Sequence, residues 1–312
     1  MPDNSKLKTQ NLKLPIIVGP TGVGKSEVAY QLALRLKAEI ISADAFQVYK
    51  STEIGTAQPP KEWQKKIKHH LIGMRDPADN WNAVDFAKEA KKIIEERQTK
   101  KKKLIIVGGA GFYLKALVEG APIGAAPLPE IRSMVAEKVK ELGNEKAHAW
   151  LRERDQLAAK RLHPNDTQRI CRALEKSFSM CQDKREIKPL GVKKVQFFGL
   201  ERSRENLDKL LMDRSKAMWE KGLLDETQKL AKGGIQKGHP LWGAIGYAEA
   251  AAYSNGEMTQ PEALERIFRR TRQYAKRQWT WFKHQHDVQW INLDDFSDIL
   301  LVVDLLEKKI AN

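Results

Sequence analysis

Gly19-Pro-Thr-Gly-Val-Gly-Lys-Ser26 decides how this chain is read. The stretch matches the G-x-x-x-x-G-K-[ST] phosphate loop. Its surroundings are those such a loop needs. Leu14–Val18 is a short apolar run, read as a buried parallel strand, and a helix is predicted over Lys25–Leu36 with Val28, Ala29, Leu32 and Leu36 on one face. Glycines let the backbone turn tightly and aim N–H groups at phosphate oxygens, and the positive end of the helix dipole adds to the attraction. Gly19, Pro20, Thr21, Gly22, Val23, Gly24, Lys25 and Ser26 are therefore the expected phosphate-binding residues. Lys25 would neutralise the terminal phosphate, and the Ser26 hydroxyl would reach a magnesium ion bound to it. The loop does not name its phosphate. An NTPase places a magnesium-binding Asp at the end of a second apolar strand. Here the apolar run Leu104–Val107 leads into Gly108-Gly109, and the well-placed carboxylate is Asp44, just after a predicted strand over Glu39–Ser42.

Downstream of the loop, a helix is predicted over Val84–Arg97, a strand over Leu104–Val107 and a helix over Phe112–Val118. Alternating strands and helices imply a parallel sheet with helices on both faces. Ala121–Pro129 holds three prolines and a glycine and reads as a boundary. Glu130 to Met180 is helical in pattern. Strand character returns at Val195–Leu200, long helices follow near Arg204–Leu230 and Pro261–His284, and Val288–Leu293 reads as a last strand. The expected fold class is α/β, a P-loop NTPase-like parallel sheet with flanking helices and a helical insertion domain. The expected parts are a core of 1–122 and 192–312 and an insertion of 123–191.

Charge adds a partner class. Lys plus Arg is 55 and Asp plus Glu is 40, a net +15. Such a surface favours a polyanion, with nucleic acid ahead of an anionic membrane. No apolar run approaches the ~18 residues of a membrane span, and Met1–Lys13 is polar, unlike a signal peptide. A cytoplasmic protein with no membrane partner is expected. Cys171 and Cys181 fit no zinc pattern and no disulfide framework. Lys100–Lys103 reads as a solvated helix end. The helix from Pro261 carries Arg266, Arg269, Arg270 and Arg277 near one face, either a backbone-binding stripe or a soluble face, while Trp279, Trp281 and Phe282 follow helical spacing as core.

Several separated segments resemble the tRNA dimethylallyltransferases of bacterial type. Besides the phosphate loop they are Ser42-Ala-Asp-Ala-Phe-Gln-Val-Tyr49, Gly55-Thr-Ala57, His69-His-Leu-Ile72, Gly108-Gly-Ala-Gly-Phe-Tyr-Leu-Lys-Ala-Leu117, Arg161 to Glu175, Ala244-Ile-Gly-Tyr247 and Thr271-Arg-Gln-Tyr-Ala-Lys-Arg-Gln278. Their joint order spans nearly the whole chain. The resemblance implies that dimethylallyl diphosphate sits in the phosphate loop with Mg2+. It implies transfer of the prenyl group to the exocyclic amine of the adenine 3′ of a tRNA anticodon, by a monomer that binds the anticodon stem-loop.

The resemblance also assigns roles. Asp44 accepts the proton of the attacking amine, a poor nucleophile whose lone pair is delocalised; otherwise it is a loop Asp that caps a turn or holds magnesium. Lys25 and Arg214 stabilise the departing diphosphate. The implied tRNA contacts are Asp44, Ala45, Phe46, Gln47, Ala110, Arg132, Gln168, Arg169, Ile170, Cys171 and Arg172. Amides among these can read a base edge, and arginines can pair with phosphates or stack on bases. His69 and His70 mark the family without an assigned role. The chain departs from the family's Gly-Gly-Thr-Gly turn at Ala110, which lacks the threonine hydroxyl, and also has Gly73 for an Asp and Ala248 for a Lys. Three other readings stay open: a P-loop small-molecule kinase using ATP, a relative acting on free adenine nucleotides, and a tRNA-binding relative weakened in catalysis by Ala110.

Overall fold

The computed structural model describes residues 14–122, 128–178, 186–190, 195–235, 237–285 and 287–311. The expectations for Met1–Lys13 and for Cys181 lie outside them. The chain begins with β1 (Leu14–Val18), α1 (Lys25–Leu36), β2 (Glu39–Ala43), α2 (Lys61–Lys66), β3 (His69–His70), α3 (Ala83–Thr99), β4 (Leu104–Gly108) and α4 (Gly111–Val118). It continues through β5 (Ala121–Pro122), α5 (Pro129–Arg154), α6 (Gln156–Arg161), α7 (Thr167–Phe178) and β6 (Glu186–Ile187). The last stretch holds β7 (Val195–Glu201), α8 (Arg204–Glu220), α9 (Leu223–Lys232), α10 (Tyr247–Ser254), α11 (Gln260–Gln285), β8 (Val288–Asn292) and α12 (Ile299–Ala311). The described chain forms two compact units, one of residues 1–121 and 188–312 and one of 122–187.

The first unit is built on a six-stranded sheet in the order β3-β2-β4-β1-β7-β8, with every pairing parallel. Strands inside a parallel sheet are covered on both faces and read as unbroken apolar runs. β1 (Leu-Pro-Ile-Ile-Val) and β4 (Leu-Ile-Ile-Val-Gly) are buried at every position for this reason. The register sets Ile17 against Val107 on one side and Phe198 on the other. One layer of core joins Val28 and Leu32 of α1, Ile17, Ile40, Ile105 and Phe198 of the sheet, and Val302, Val303 and Leu306 of α12. Parallel strands bring their carboxyl ends to one edge, where ligands bind in open α/β sheets. Gly19, Asp44 and Gly109 follow three adjacent strands there.

The second unit packs α5, α6 and α7 around Val135, Val139, Ala147, Leu151, Ala158, Ile170 and Leu174. Gly143, at φ 71 and ψ 172, breaks α5 in two. His148 is buried with Nε2 3.0 Å from the carbonyls of both Ala159 and Leu162, tying α5 to the end of α6.

Two expectations change. The helix read over Arg204–Leu230 is two helices, because Gly222 at φ 101 enters the left-handed region and caps α9. His69-His70 is a short edge strand. His69 Nδ1 lies 2.8 Å from the Ile67 carbonyl. Glu39 of β2 meets His70 Nε2 at 2.6 Å and Arg97 Nε at 3.1 Å. Burial, set against the pull of Glu39, lowers the His70 pKa. The pair therefore closes the sheet edge, and among the described residues no His, Cys, Asp and Glu group has the makings of a metal centre.

Candidate functional site

The phosphate loop turns on three left-handed glycines, Gly19 (φ 139), Gly22 (φ 78) and Gly24 (φ 110). Space as well as φ demands glycine here. A Cβ at Gly19 would come within 2.3 Å of the Leu200 carbonyl oxygen, and one at Gly22 within 2.5 Å of the Leu211 side chain. Gly24 caps α1, so the loop's N–H groups and the helix N-terminus share one concavity. Lys25 folds back over the loop, its Nζ donating to the Pro20 carbonyl at 2.7 Å. Burial, reinforced by Arg214 and opposed by Asp44, lowers its pKa to about 7. Burial also lowers the Arg214 pKa, again opposed by Asp44. Two half-buried basic side chains held against each other with one nearby carboxylate form a seat for an anion.

Two cavities in the first unit meet at these groups. One, of about 400 Å³, runs along Thr21, Gly22, Gly24, Lys25 and Ser26 to Gly108 and Gly109. The other, of about 280 Å³, is lined by Phe46, Met218, Ile245, Ile267, Thr271 and Arg277. Thr21, Asp44, Thr56, Arg214 and Tyr274 line both. Asp44 Oδ1 accepts the N–H groups of Phe46 (2.8 Å) and Gln47 (3.2 Å). The turn-capping geometry is thus present, and it fixes the carboxylate's direction. Oδ2 accepts no hydrogen bond from any described residue.

Sequence reasoning missed the support behind this wall. Glu226 of α9 accepts the N–H groups of Ile54 (2.8 Å) and Gly55 (2.7 Å) and the hydroxyl of Tyr247 (2.9 Å). A Cβ on Gly55 would fall 2.4 Å from the Tyr247 ring. The separated segments Gly55-Thr-Ala57 and Ala244–Tyr247 are therefore one packing unit. Burial, and then Glu226, pushes the Tyr247 phenol up. Glu226 carried no signal in the sequence, because an isolated Glu in a helix reads as solvated.

The predicted tRNA contacts divide. Ala45 and Phe46 are half-buried at the mouth of the site, and Ala110 caps α4 just after the cavity-lining glycines. Gln47 does not present a free amide. Its Oε1 accepts from Ser42 Oγ at 2.9 Å, and its Nε2 donates to the carbonyls of Thr56 (3.2 Å) and Ala57 (3.0 Å). These bonds fasten the cavity wall. In the second unit, Arg132, Gln168, Arg169 and Arg172 are exposed. Arg169 lies 3.4 Å from Asp166 and Arg172 2.9 Å from Glu175. The Ile170 side chain is only 1 % exposed, in that unit's core beside Leu174, so it offers no side chain to a partner. Half-buried Cys171 has its thiol pKa raised by burial.

The helix α11 carries cations on one face, but Arg266 and Arg270 both turn to the buried carboxylate of Glu249, and Arg272 lies 3.0 Å from Asp208. Arg269 and Arg277 stay outside these pairs. Phe282 is core as expected, while Trp279 and Trp281 are half-buried, Trp279 donating its indole N–H to Glu201 at 2.9 Å. Lys100–Lys103 is exposed, with Lys100 Nζ 2.9 Å from Glu96.

Known proteins resemble this chain along nearly its whole length. Residues 47–285 match the IPP transferase family. A tRNA dimethylallyltransferase of Acetivibrio thermocellus is 37% identical over 298 residues, 93% of this chain and 95% of the relative. One from Geobacter sulfurreducens is 36% identical over 301 residues, 93% and 96% of the two chains. The crystal structure of the tRNA isopentenylpyrophosphate transferase of Bacillus halodurans superposes with a TM-score of 0.69 at 33% identity, covering 96% of this chain and 97% of that one. A eukaryotic dimethylallyltransferase acting on tRNA superposes at 0.73 with 26% identity, covering 96% and 80%.

Proposed function

The chain belongs to the IPP transferase family, and from that premise we propose how its site works. The protein is an enzyme that prenylates tRNA. Its donor is dimethylallyl diphosphate, and its acceptor is the exocyclic amine of the adenine 3′ of the anticodon. The observation that carries this reading is the shared wall of the two cavities. A phosphate loop with two half-buried basic side chains opens on one side, a chamber opens on the other, and Asp44 and Arg214 face both.

The chemistry follows from those groups. The amine nitrogen attacks the first carbon of the dimethylallyl group. The carbon–oxygen bond breaks with its electron pair going to the diphosphate. The amine proton passes to Asp44 Oδ2, which the turn leaves open. Charge grows on the diphosphate as it departs, and the loop N–H groups, Lys25 and Arg214 meet it without reorganising. A Mg2+ ion fits the donor set. Magnesium keeps most of its waters and takes few protein ligands beside substrate phosphates, and Ser26 supplies a hydroxyl at the start of α1. Ser26 and the diphosphate would hold the ion, which when bound neutralises part of the leaving charge. Arg132, Gln168, Arg169 and Arg172 of the second unit contact the tRNA as a monomer binds the anticodon stem-loop. A kinase reading lacks its strand-end carboxylate, since β4 runs into Gly108 and Gly109 at the cavity wall.

Thermal unfolding with added ligand tests the donor. A ligand at 100 times its Kd stabilises the folded state by about 2.7 kcal/mol. Dimethylallyl diphosphate with Mg2+ raises the Tm on this reading, and ATP does not. Protection by ATP alone would replace the proposal with a kinase.

A further inference from the structure

The segment Thr271–Gln278 ends in a residue with no role so far. Gln278 lies within α11 and is 6% exposed. Its Oε1 accepts the N–H of Thr21 at 2.8 Å, and its Nε2 donates to the Gly109 carbonyl at 3.0 Å. Tyr274, one turn earlier, also shares a hydrogen bond with it. A buried amide must be satisfied by some partners. What distinguishes this one is that Thr21, Gly109, Tyr274 and Gln278 itself all line the phosphate cavity, and Thr21 and Tyr274 line the second chamber too.

The bridge continues beyond Gly109. The next residue, Ala110, donates its N–H to the Ala43 carbonyl at 3.2 Å, and Ala43 immediately precedes Asp44. A short path of hydrogen bonds therefore joins the phosphate loop to the residue before the base. The fit around it is tight, since a Cβ on Gly109 would stand 2.0 Å from Gln278 Nε2. A side chain on the second glycine of the Gly108-Gly109 turn would thus displace the glutamine amide. Thr21 N–H, a donor that a phosphate loop could have aimed at its anion, is instead held by Gln278.

We propose that Gln278 is a positioning residue for prenyl transfer: by clamping Thr21 to Gly109 it sets the distance between the donor loop and Asp44. The proposal rests on the prenyl-transfer reading above. A misplacement of about 1 Å between reacting groups can cost on the order of 10²-fold in rate. Gln278 touches the frame that carries the diphosphate and the base, so its loss moves kcat while leaving both substrates bound.

The test uses the whole chain with tRNA, dimethylallyl diphosphate and Mg2+. Gln278→Met keeps length and burial and removes all three hydrogen bonds. Its kcat should fall roughly 10- to 100-fold, while KM for the diphosphate stays level or drops, because Thr21 N–H is released toward the anion. Affinity for tRNA should not change. Gly109→Ala attacks the same contact from its other partner and should reproduce the split. In a Gln278→Ala background, where the clash is gone, Gly109→Ala should cost little more. Turnover within twofold of wild type in Gln278→Met overturns the proposal. So does a parallel worsening of kcat, both KM values and Tm in both single variants, which marks a merely structural glutamine. If the intact protein yields no prenylated tRNA, the functional reading itself falls, an outcome distinct from an active parent with an indifferent Gln278.

Discussion

Replacing Ala110 by threonine tests two consequences of one position. Ala110 is the N-cap of α4, with φ −84 and ψ 79 and no side-chain capping bond. Its carbonyl already accepts from Tyr113 (2.9 Å) and Leu114 (3.1 Å), and its N–H is held by Ala43. The backbone is therefore fixed, and its φ suits a β-branched residue. Alanine is a poor N-cap, and threonine there is worth about 1 kcal/mol, which raises Tm by roughly 2 °C in a chain of this size. A hydroxyl has one proton and two lone pairs. It can accept a first-turn N–H and still donate toward the oxygen left as the carbon–oxygen bond breaks. That charge is greater in the transition state than in the ground state, so the bond accelerates the chemical step. An ordinary hydrogen bond of about 1 kcal/mol gives roughly fivefold, and a preorganised donor of about 3–4 kcal/mol gives 10²- to 10³-fold. Single-turnover rates at saturating tRNA and dimethylallyl diphosphate, with Tm measured on the same samples, read both effects. The expected result is a faster, slightly more stable Ala110→Thr with unchanged tRNA affinity. A gain in Tm without a gain in rate would refute the transition-state argument and show that water already fills the place of the hydroxyl.

Three further outcomes follow from the site and its surroundings. Asp44→Asn keeps the acceptor oxygen for the N–H groups of Phe46 and Gln47 but cannot take a proton. Single-turnover rates should fall by about 10²- to 10⁴-fold with tRNA affinity nearly unchanged, and undiminished turnover would remove Asp44 from the mechanism. Arg169→Ala and Arg172→Ala should each weaken tRNA binding and lower the log–log salt slope by roughly 0.7–0.9; a flat salt dependence of the parent would contradict the electrostatic interface. Burial works to raise the Asp294 pKa, but the Ser203 N–H, Asn206 and Arg202 together bring it down to about 2. A carboxyl depressed on folding contributes stability above its unfolded value of about 3.9 and loses it as pH falls toward 2. Urea midpoints of wild type and Asp294→Asn should therefore draw together as pH falls from about 4 toward 2, and a gap that stays constant from about pH 6 down to about pH 2 would contradict the assignment.

β1 and β4 were legible because each is a continuous apolar run between turn signals. Leu14–Val18 stands in the structure as predicted, and Leu104–Val107 gains Gly108. The phosphate loop was legible for the same local reason. His69-His70 was not read as a strand, since two residues make no periodicity and the pairing depends on β2 alongside. Ile299–Ala311 went unread, although its Val302, Val303 and Leu306 complete the core over α1. Gly222 broke a helix that the side-chain pattern alone continued, because backbone φ is invisible to hydrophobic spacing. At the site, Lys25, Asp44 and Arg214 were named from the sequence and the fold brings them together. Gln47 bonds to the backbone of a loop nine and ten residues on, while Glu226 and Gln278 act through hydrogen bonds to backbone far along the chain, the longest spanning 257 residues, and no local pattern reports such partners.

The most direct test is to incubate the intact protein with bulk tRNA, dimethylallyl diphosphate and Mg2+, then digest the tRNA and examine its nucleosides by mass spectrometry. Adenosine carrying a dimethylallyl group on its exocyclic amine, confined to the position 3′ of the anticodon and formed only when both donor and enzyme are present, is the result this account predicts. Unmodified tRNA from a folded protein that binds both substrates would contradict it.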